Sequence, residues 1–453
     1  MKVNVAGAGA GKTTRMANLI TDYMIPNGQV IFCIAFTNAA ANHIKEKVVE
    51  KLGKMPNNIK ISTIHSFLYH ELIEPYYFFL YGKQFERLSV ITLPTDVRAK
   101  AAVISELEAS NILHITAIPA RAKWVAYQKS SDKRATKDLR EKILARFKNY
   151  CAAIFVDEAQ DINEDISIIL SALDKIGIEI ILYGDPKQDV KGLGLFRQIV
   201  NNSKEVNYIT NCYRCPSKHL ALSNMLAPDP ENQIADESNA NGSIVIVFES
   251  DIKNVNDYVN TGEYGLRYIS MKRDRYATHD KDRSNQHFEA LKHEVYRAIY
   301  DKWKDQKSKI ELKRIAFYVT ERMLKSFNAT GDAASIIRQC VENKIFDRLP
   351  PKSYMQMISA FTSQEKISSD AVVVSSIEMI KGLEAKRCLF VLTTDLAPYL
   401  FRMNTEDNKT SHLLYVALTR SLDNLTILIT NEVEGKYTKN FVIDFFRSLG
   451  AEC

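Results

Sequence analysis

Lys12 and Thr13 close a run of alternating small residues, Ala6-Gly7-Ala8-Gly9-Ala10-Gly11, that follows a short apolar stretch and opens a helix-forming one. Small residues let backbone N–H groups curl around an anion, and the first turn of the following helix adds positive potential. A lysine at this point reaches the β- and γ-phosphates of a nucleotide, and the next hydroxyl holds Mg²⁺. The spacing makes Gly7, Gly9, Ala10, Gly11, Lys12, Thr13 and Thr14 a candidate phosphate cradle, with Ala6 where the usual pattern begins with glycine. A second constellation completes the chemistry. The apolar run Ile154-Phe155-Val156 ends in Asp157 and Glu158, followed by Ala159-Gln160-Asp161. Asp157 is expected to bind Mg²⁺ through water, and Glu158 to polarise an attacking water. Together the two motifs predict an ATP hydrolase.

Further motifs follow in a fixed order. They are Phe36-Thr37-Asn38-Ala39-Ala40-Ala41, Thr63-Ile64-His65-Ser66-Phe67, Gly184-Asp185-Pro186-Lys187-Gln188, Asn211-Cys212-Tyr213-Arg214-Cys215-Pro216, Lys381-Gly382-Leu383-Glu384 and Tyr415-Val416-Ala417-Leu418-Thr419-Arg420. In this order, and with the phosphate loop and the Asp157-Glu158 pair, the chain resembles the UvrD/Rep/RecB-like branch of superfamily 1 DNA helicases. The resemblance implies an α/β fold with two RecA-like P-loop NTPase domains, parallel sheets with helices on both faces, and ATP with Mg²⁺ bound between them. It implies that Gln188 senses the γ-phosphate, Tyr213 stacks on the base, Glu384 contacts the ribose, and Arg214 and Arg420 act as arginine fingers. Fixed guanidinium groups stabilise charge that develops during phosphoryl transfer.

For single-stranded DNA the resemblance points to Phe36, Thr37, Asn38, Thr63 and His65. A phenylalanine can stack on any base, and Thr, Asn and His can reach phosphates. Core packing for Phe36 and a structural hydrogen bond for His65 are the competing readings. The basic run from Lys129 to Lys148 is either a DNA-facing surface or a solvated helix face. Several positions depart from the family pattern. No glutamine precedes the phosphate loop to read adenine. Thr14 stands where relatives often carry an arginine, with Arg15 one step away. The segment Asp189-Val190-Lys191-Gly192-Leu193-Gly194 lacks the usual aromatics and arginine, and Glu378 replaces a phosphate-contacting histidine. By motif count the nucleotide half is intact, while the DNA half is depleted.

These groups must be carried on a parallel sheet. Strands are expected at Val3–Ala6, Val30–Ala35, Ile59–Ser62, Ala153–Val156 and Glu179–Tyr183, with helices at Gly11–Tyr23 and Ala39–Leu52. That alternation is the mark of strand–helix–strand units. A second α/β half is expected from strands at Ile244–Phe248, Arg267–Ser270, Arg314–Val319, Ala371–Ser375 and Cys388–Leu392, after a charged loop at Lys272–Gln286 and a helix at His287–Gln306. The expected boundaries are 1–67 and 149–212 for the first RecA-like domain (1A), with 68–148 as a helical 1B-like insertion. The second domain (2A) takes 213–320 and 368–453, and 321–367 is a small helical remnant of the family's 2B region. About 30 residues follow the last motif, so any associated nuclease is expected on another chain.

The bulk properties agree with this. Of 453 residues, 46% are hydrophobic and 25% charged, and the net charge is +6. That is an ordinary globular composition, mildly basic and compatible with a phosphate-backbone partner. No long apolar run or secretory leader is present, and seven scattered cysteines suit a reducing compartment, so a cytoplasmic protein is expected. Cys212 and Cys215 form an isolated CxxC with no second pair, from which neither a metal nor a redox role is expected. The leading expectation is a DNA translocase or helicase moving 3′ to 5′ on single-stranded DNA. The alternative is an ATP-dependent regulatory or sensor subunit of a nuclease, since compact UvrD-like proteins stand beside nucleases in antiphage systems such as Gabija and also occur in phages.

Overall fold

Short apolar strands alternating with amphipathic helices build two six-stranded sheets in the computed structural model, which describes residues 1–94, 96–271, 275–278, 281–362 and 372–449. The first sheet runs Ile59–Thr63, Val30–Ala35, Cys151–Val156, Glu179–Gly184, Lys2–Ala6, Val206–Ile209, with every pairing parallel. All six residues of Val30–Ala35 are buried, as a strand covered on both faces requires. Because the strands are parallel, Ala6, Ala35, Thr63, Val156 and Gly184 end at one edge. The residues that follow each end therefore converge there, which is where open α/β sheets bind ligands.

The second sheet runs Ser243–Phe248, Ser421–Ile429, Ala385–Leu392, Leu266–Ile269, Val372–Ser376, Tyr276–Thr278. Its core joins Ile244, Tyr268, Phe390 and Ile427 to Leu414 and Leu418 of the helix Lys409–Leu418. The two α/β halves expected from the sequence are thus present as two parallel sheets packed with helices. Chain packing divides the molecule into two units. Met1–Val90, Ile104–Tyr276 and Val374–Cys453 form one, and Ile91–Val103 with Ala277–Val373 form the other. Among the described residues no helix is long and apolar enough to cross a membrane.

Three expectations are corrected. The segment Arg314–Val319 is not a strand but lies inside the helix Lys309–Thr330. Ser308 caps that helix, accepting from the Glu311 N–H while the Glu311 carboxylate accepts from the Ser308 N–H. This reciprocal cap fixes the start, and Leu312, Ala316 and Met323 then bury one helical face. Consequently the helical unit spans Ala277–Val373 rather than 321–367, and the second α/β half loses the end of its expected 213–320 segment. Residues 68–148 are mostly helical and lie between the strands Ile59–Thr63 and Cys151–Val156 of the first sheet, packed onto it. Their helices Glu74–Tyr81, Ile118–Ala126 and Arg134–Tyr150 contribute Tyr77, Val125 and Phe147 to the same core as Phe32, Ile34 and Ile154 of the first sheet. Only Ile91–Val103 belongs to the other unit. The expected charged loop Lys272–Gln286 instead holds the strand Tyr276–Thr278 and the start of the helix Lys281–Trp303; residues 272–274, 279–280 and 363–371, and Cys453, lie outside the described residues.

Candidate nucleotide site and nucleic-acid groove

The phosphate loop leaves the strand Lys2–Ala6 and enters the helix Lys12–Asp22 through Gly11, whose φ of 70° only glycine adopts at little cost. Gly9 is left-handed as well, and a Cβ placed on it would lie 2.4 Å from the Cβ of Arg214. Glycine is required there for space as much as for conformation. Lys12 bends back over the loop, its Nζ donating to the carbonyls of Ala6 (3.1 Å) and Gly7 (3.4 Å). Thr13 hydrogen-bonds to Asp157, while Thr14 is exposed on the outer side of the helix.

Asp157 is 2% exposed at the end of the strand Cys151–Val156. Burial and the adjacent Glu158 carboxylate push its carboxyl up to about 7, although Lys12 and Thr13 oppose that shift. Glu158 has a left-handed backbone, φ 53°, uncommon outside glycine and asparagine. That conformation turns its carboxylate onto the Gln160 amide. The Gln160 carbonyl in turn accepts from the Asp185 N–H at 3.0 Å, and the Gln188 amide donates to the Asp185 carboxylate at 2.9 Å. Glu158 and Gln188 are therefore linked through the Gln160 side chain and Asp185. Burial favours a neutral Asp185, but Lys187 and Lys12 outweigh it and hold the carboxyl below its usual value.

Residues from the second half of the chain close directly onto the loop. The Tyr213 N–H donates to the Gly9 carbonyl at 2.9 Å, and its half-exposed ring lies beside Gly11. Ala8 is held from three sides. Its N–H donates to the Tyr415 hydroxyl at 3.1 Å, and its carbonyl accepts from the Gln233 amide at 3.0 Å and the Cys212 thiol at 3.2 Å. The Tyr415 hydroxyl also donates to Gln233 at 2.9 Å. Below this contact lies a buried charge network. Lys187 pairs with Asp185 (3.1 Å) and Glu231 (2.9 Å), and Arg197 pairs with Glu231 and with Asp407 (2.9 Å). Asp407 then meets His412 Nε2 at 2.6 Å, whose Nδ1 reaches the Asp189 carbonyl at 3.0 Å. Each buried ion has an opposite partner, the condition under which burial of charge is tolerated.

The two expected arginine fingers are placed differently from one another. Arg214 sits against Gly9, but its guanidinium pairs with Glu384 at 2.5 Å, so Glu384 is engaged by Arg214 in this arrangement. Arg420 is fully buried and donates to the carbonyls of Val416 (3.0 Å) and Leu383 (3.4 Å) and to the Thr419 hydroxyl (3.0 Å). Burial and the nearby Arg214 lower its pKa. Lys12, Thr13, Asp157, Glu158, Gln188, Tyr213 and Arg214 are thus gathered around the loop, and Arg420 lies one layer behind Arg214. The donors present suit a nucleotide with Mg²⁺. They are a lysine, a hydroxyl and a single buried carboxylate, and Mg²⁺ takes one or two protein oxygens and completes its shell with phosphate and water. No cluster of three or more His, Cys, Asp or Glu suggests a protein-only metal cage among the described residues.

The DNA candidates divide. Thr37 caps the helix Asn38–Leu52, accepting from the Ala40 N–H, and Thr63 caps the turn that follows, accepting from the Ser66 N–H. Both hydroxyls have structural work, while Asn38 and His65 are exposed. Phe36 is half-buried against the core, with the Lys191 ammonium 6.0 Å from its ring centroid. Loss of hydration and that same ammonium hold the His65 imidazole below its usual value. Lys191 belongs to a groove of about 460 Å³ that it lines with Asp161, Val190, Glu378, Lys381 and Lys409. Asp161 takes both Lys191 (3.2 Å) and Lys381 (2.9 Å), and Lys409 neutralises Glu378 at 2.8 Å. Glu378 is therefore paired, which lessens the repulsion expected of it. From the basic run, Arg140 is instead buried on Asp132, the Trp124 carbonyl and Tyr81, and Lys129 lies over the Trp124 ring. Those two residues are structural; Lys137, Lys142 and Arg146 are exposed.

Sequence motifs gave no role to Gln233, Lys191 or the Lys187–Glu231–Arg197 network. Tyr415 stood in a recognised motif without an assigned role, and Gln233 lies in no motif. Comparison with known proteins adds the following. Residues 1–192 match the model of the AAA_19 family, described as an AAA domain. Over 494 aligned residues the sequence is 22% identical to Gabija protein GajB of Bacillus cereus (strain VD045), covering 96% of this chain and 94% of that protein. Among solved structures, the PRRSV helicase aligns with 94% of the chain at 10% identity and a TM-score of 0.35; the chain spans 52% of that helicase's length. The chain is thus similar to an AAA domain at its start and to a Gabija protein along nearly its whole length.

Proposed function

We propose that the chain is an ATP-driven motor of the UvrD/Rep-like superfamily 1 kind, hydrolysing ATP with Mg²⁺ at the seam of its two sheets and moving 3′ to 5′ on single-stranded DNA. The observation that carries this is the direct closure of Tyr213, Arg214, Gln233 and Tyr415 onto the phosphate loop. Residues from both halves thereby meet at one anion cradle, so phosphates gripped there are sensed by both. In this reading Lys12 leaves the loop carbonyls for phosphate oxygens, and Thr13 and Asp157 hold the metal. Glu158 orients water, with Gln160 and Asp185 relaying its position to Gln188. Arg214 exchanges Glu384 for phosphate, and Arg420 supports it from behind. Bound Mg²⁺ would supply neutralisation of charge on the β- and γ-phosphate oxygens. Phe36, Asn38 and His65, with Lys191 and Lys381, are the residues we assign to the DNA strand.

A second reading is an ATP-dependent subunit working with a nuclease on another chain, with little unwinding of its own. The near end-to-end similarity to Gabija protein GajB favours it, as does the depleted motif around Asp189–Gly194. Turnover of ATP measured with and without single-stranded DNA at low salt tests the first reading, and absence of stimulation overturns it. Turnover that appears only when a co-purified nuclease is added supports the second. Displacement of streptavidin from the 3′ or 5′ end of an oligonucleotide tests the direction of movement.

A further inference from the structure

The CxxC pair, passed over at the level of sequence, sits where the phosphate loop meets the segment that carries Arg420. Cys212 and Cys215 are both fully buried, and the two residues between them are Tyr213 and Arg214. The Cys212 thiol donates to the Ala8 carbonyl of the phosphate loop at 3.2 Å, and the Cys215 thiol to the Thr419 carbonyl, next to Arg420, at 3.6 Å. The Cys215 N–H points at Cys212 Sγ at 3.3 Å, which brings the two side chains together at one turn. No further His, Cys, Asp or Glu gathers with them among the described residues, so they cannot close a four-ligand metal site.

We infer that Cys212 and Cys215 form a reversible disulfide under oxidising conditions, and that this bond disables the nucleotide site. The inference rests on the proposed ATPase reading for its consequence, though not for the bond itself. The geometry supplies the asymmetry the chemistry needs. The Cys215 thiol and N–H, with Arg214, hold the Cys212 thiol down to about 6 despite burial, whereas the Cys212 sulfur and burial push Cys215 well above the usual thiol range. Cys212 is the nucleophile and Cys215 the resolving thiol. With a peroxide as oxidant, the Cys212 thiolate attacks one oxygen and becomes a sulfenic acid while the other oxygen leaves as water. The Cys215 sulfur then attacks the sulfenic sulfur and a second water leaves, so two thiols and one peroxide give one disulfide and two waters.

A covalent bond draws the sulfurs closer than a hydrogen bond does, and it pulls the Cys212 sulfur off Ala8 and the Cys215 S–H off Thr419. Ala8 and Thr419 lose these contacts together. There is no slack to absorb the change, because a Cβ on Gly9 would already lie 3.0 Å from Cys212 Sγ and 2.4 Å from Arg214 Cβ. Tyr213 and Arg214, spanned by the bond, move off the loop. Since the pair is covered by the loop itself, nucleotide held in the cradle slows oxidation.

The test compares the reduced full chain with the same chain after hydrogen peroxide or diamide, with and without an ATP analogue. Peptide mapping locates the bond, and turnover and the affinity of a fluorescent nucleotide are read in both forms. The expected result is a Cys212–Cys215 disulfide, a loss of turnover of at least about tenfold, recovery on addition of dithiothreitol, and slower formation with nucleotide bound. Cys215→Ser should keep its own turnover under diamide, and Cys215→Ala serves if the serine variant folds poorly. Failure of the bond to form, a bond that leaves both nucleotide affinity and turnover unchanged, or equal inactivation of Cys215→Ser overturns the inference. If the reduced chain turns over no ATP, the ATPase reading fails, and the mapped bond with nucleotide affinity still decides this one.

Discussion

Lys191 and Lys381 give the proposed DNA groove a signature in salt. Both meet Asp161, and Lys381 is the more enclosed, its side chain 17% exposed against 56% for Lys191. Each phosphate neutralised on a single strand contributes about −0.7 to the slope of log affinity against log salt. Lys191→Ala should reduce that slope by about 0.7, and Lys191→Ala with Lys381→Ala by about 1.4. Between about 50 and 200 mM salt, one lost contact then shrinks the salt-driven fall in affinity by about 2.6-fold, and two by about 7-fold. Asp161→Asn acts in the opposite sense, because it frees both ammonium groups and should tighten binding. Fluorescence anisotropy of a labelled oligo-dT strand at several salt concentrations, without nucleotide, reads all three variants. A double variant that folds normally yet keeps the wild-type slope would show that the strand does not pass this groove.

Four further outcomes follow from the site. Lys12→Ala should abolish hydrolysis, and measurable turnover in a phosphate-release assay would mean that the loop is not the ATP site. Arg420→Ala should slow turnover at least about 10³-fold while nucleotide affinity changes little; turnover unaffected by the loss would remove Arg420 from the mechanism. Tyr415→Phe deletes the hydroxyl on Ala8, so nucleotide should bind more tightly by up to about 1 kcal/mol, and titration showing weaker binding contradicts that. His412 is the pH-sensitive element. Burial lowers its pKa, but the hydrogen bonds to Asp407 and the Asp189 carbonyl prevail and raise it. A histidine raised on folding stabilises fully below its unfolded value of about 6.5 and loses that contribution as pH rises through its folded value. The melting temperature of the wild type should therefore exceed that of His412→Asn most at pH near 6, with the gap narrowing at higher pH. A gap that widens with pH would reverse the assignment.

What could be read from the sequence was what local rules determine. The phosphate loop is a strand, a glycine-rich turn and a helix start within about 20 contiguous residues, and Asp157-Glu158 ends an apolar strand. Neither needs a distant partner to be recognised. Charge pairing does. Lys187 finds Glu231 across 44 positions and Arg197 finds it across 34, and no periodicity links them. The segment Arg314–Val319 misled because a short apolar run fits a buried strand and a buried helix equally well; the reciprocal Ser308–Glu311 cap was the signal that separates them. The strand Ser421–Ile429, at the heart of the second sheet, begins with the polar Ser421, Asp423 and Asn424 and follows immediately on Arg420, so its alternation was obscured. Core sharing by residues 68–148 was equally unreadable, since a helix's apolar face does not name what it covers.

The hydroxyl of Tyr415 reaches an amide 407 positions earlier in the chain. An anion that claims the Ala8 N–H must displace that tyrosine in the same event, and with it the helix Lys409–Leu418, where His412 and Lys409 also reside. News of occupancy would then need no relay of intermediate parts. The far half of the chain already has a finger on the cradle, and a phosphate bound there would lift it.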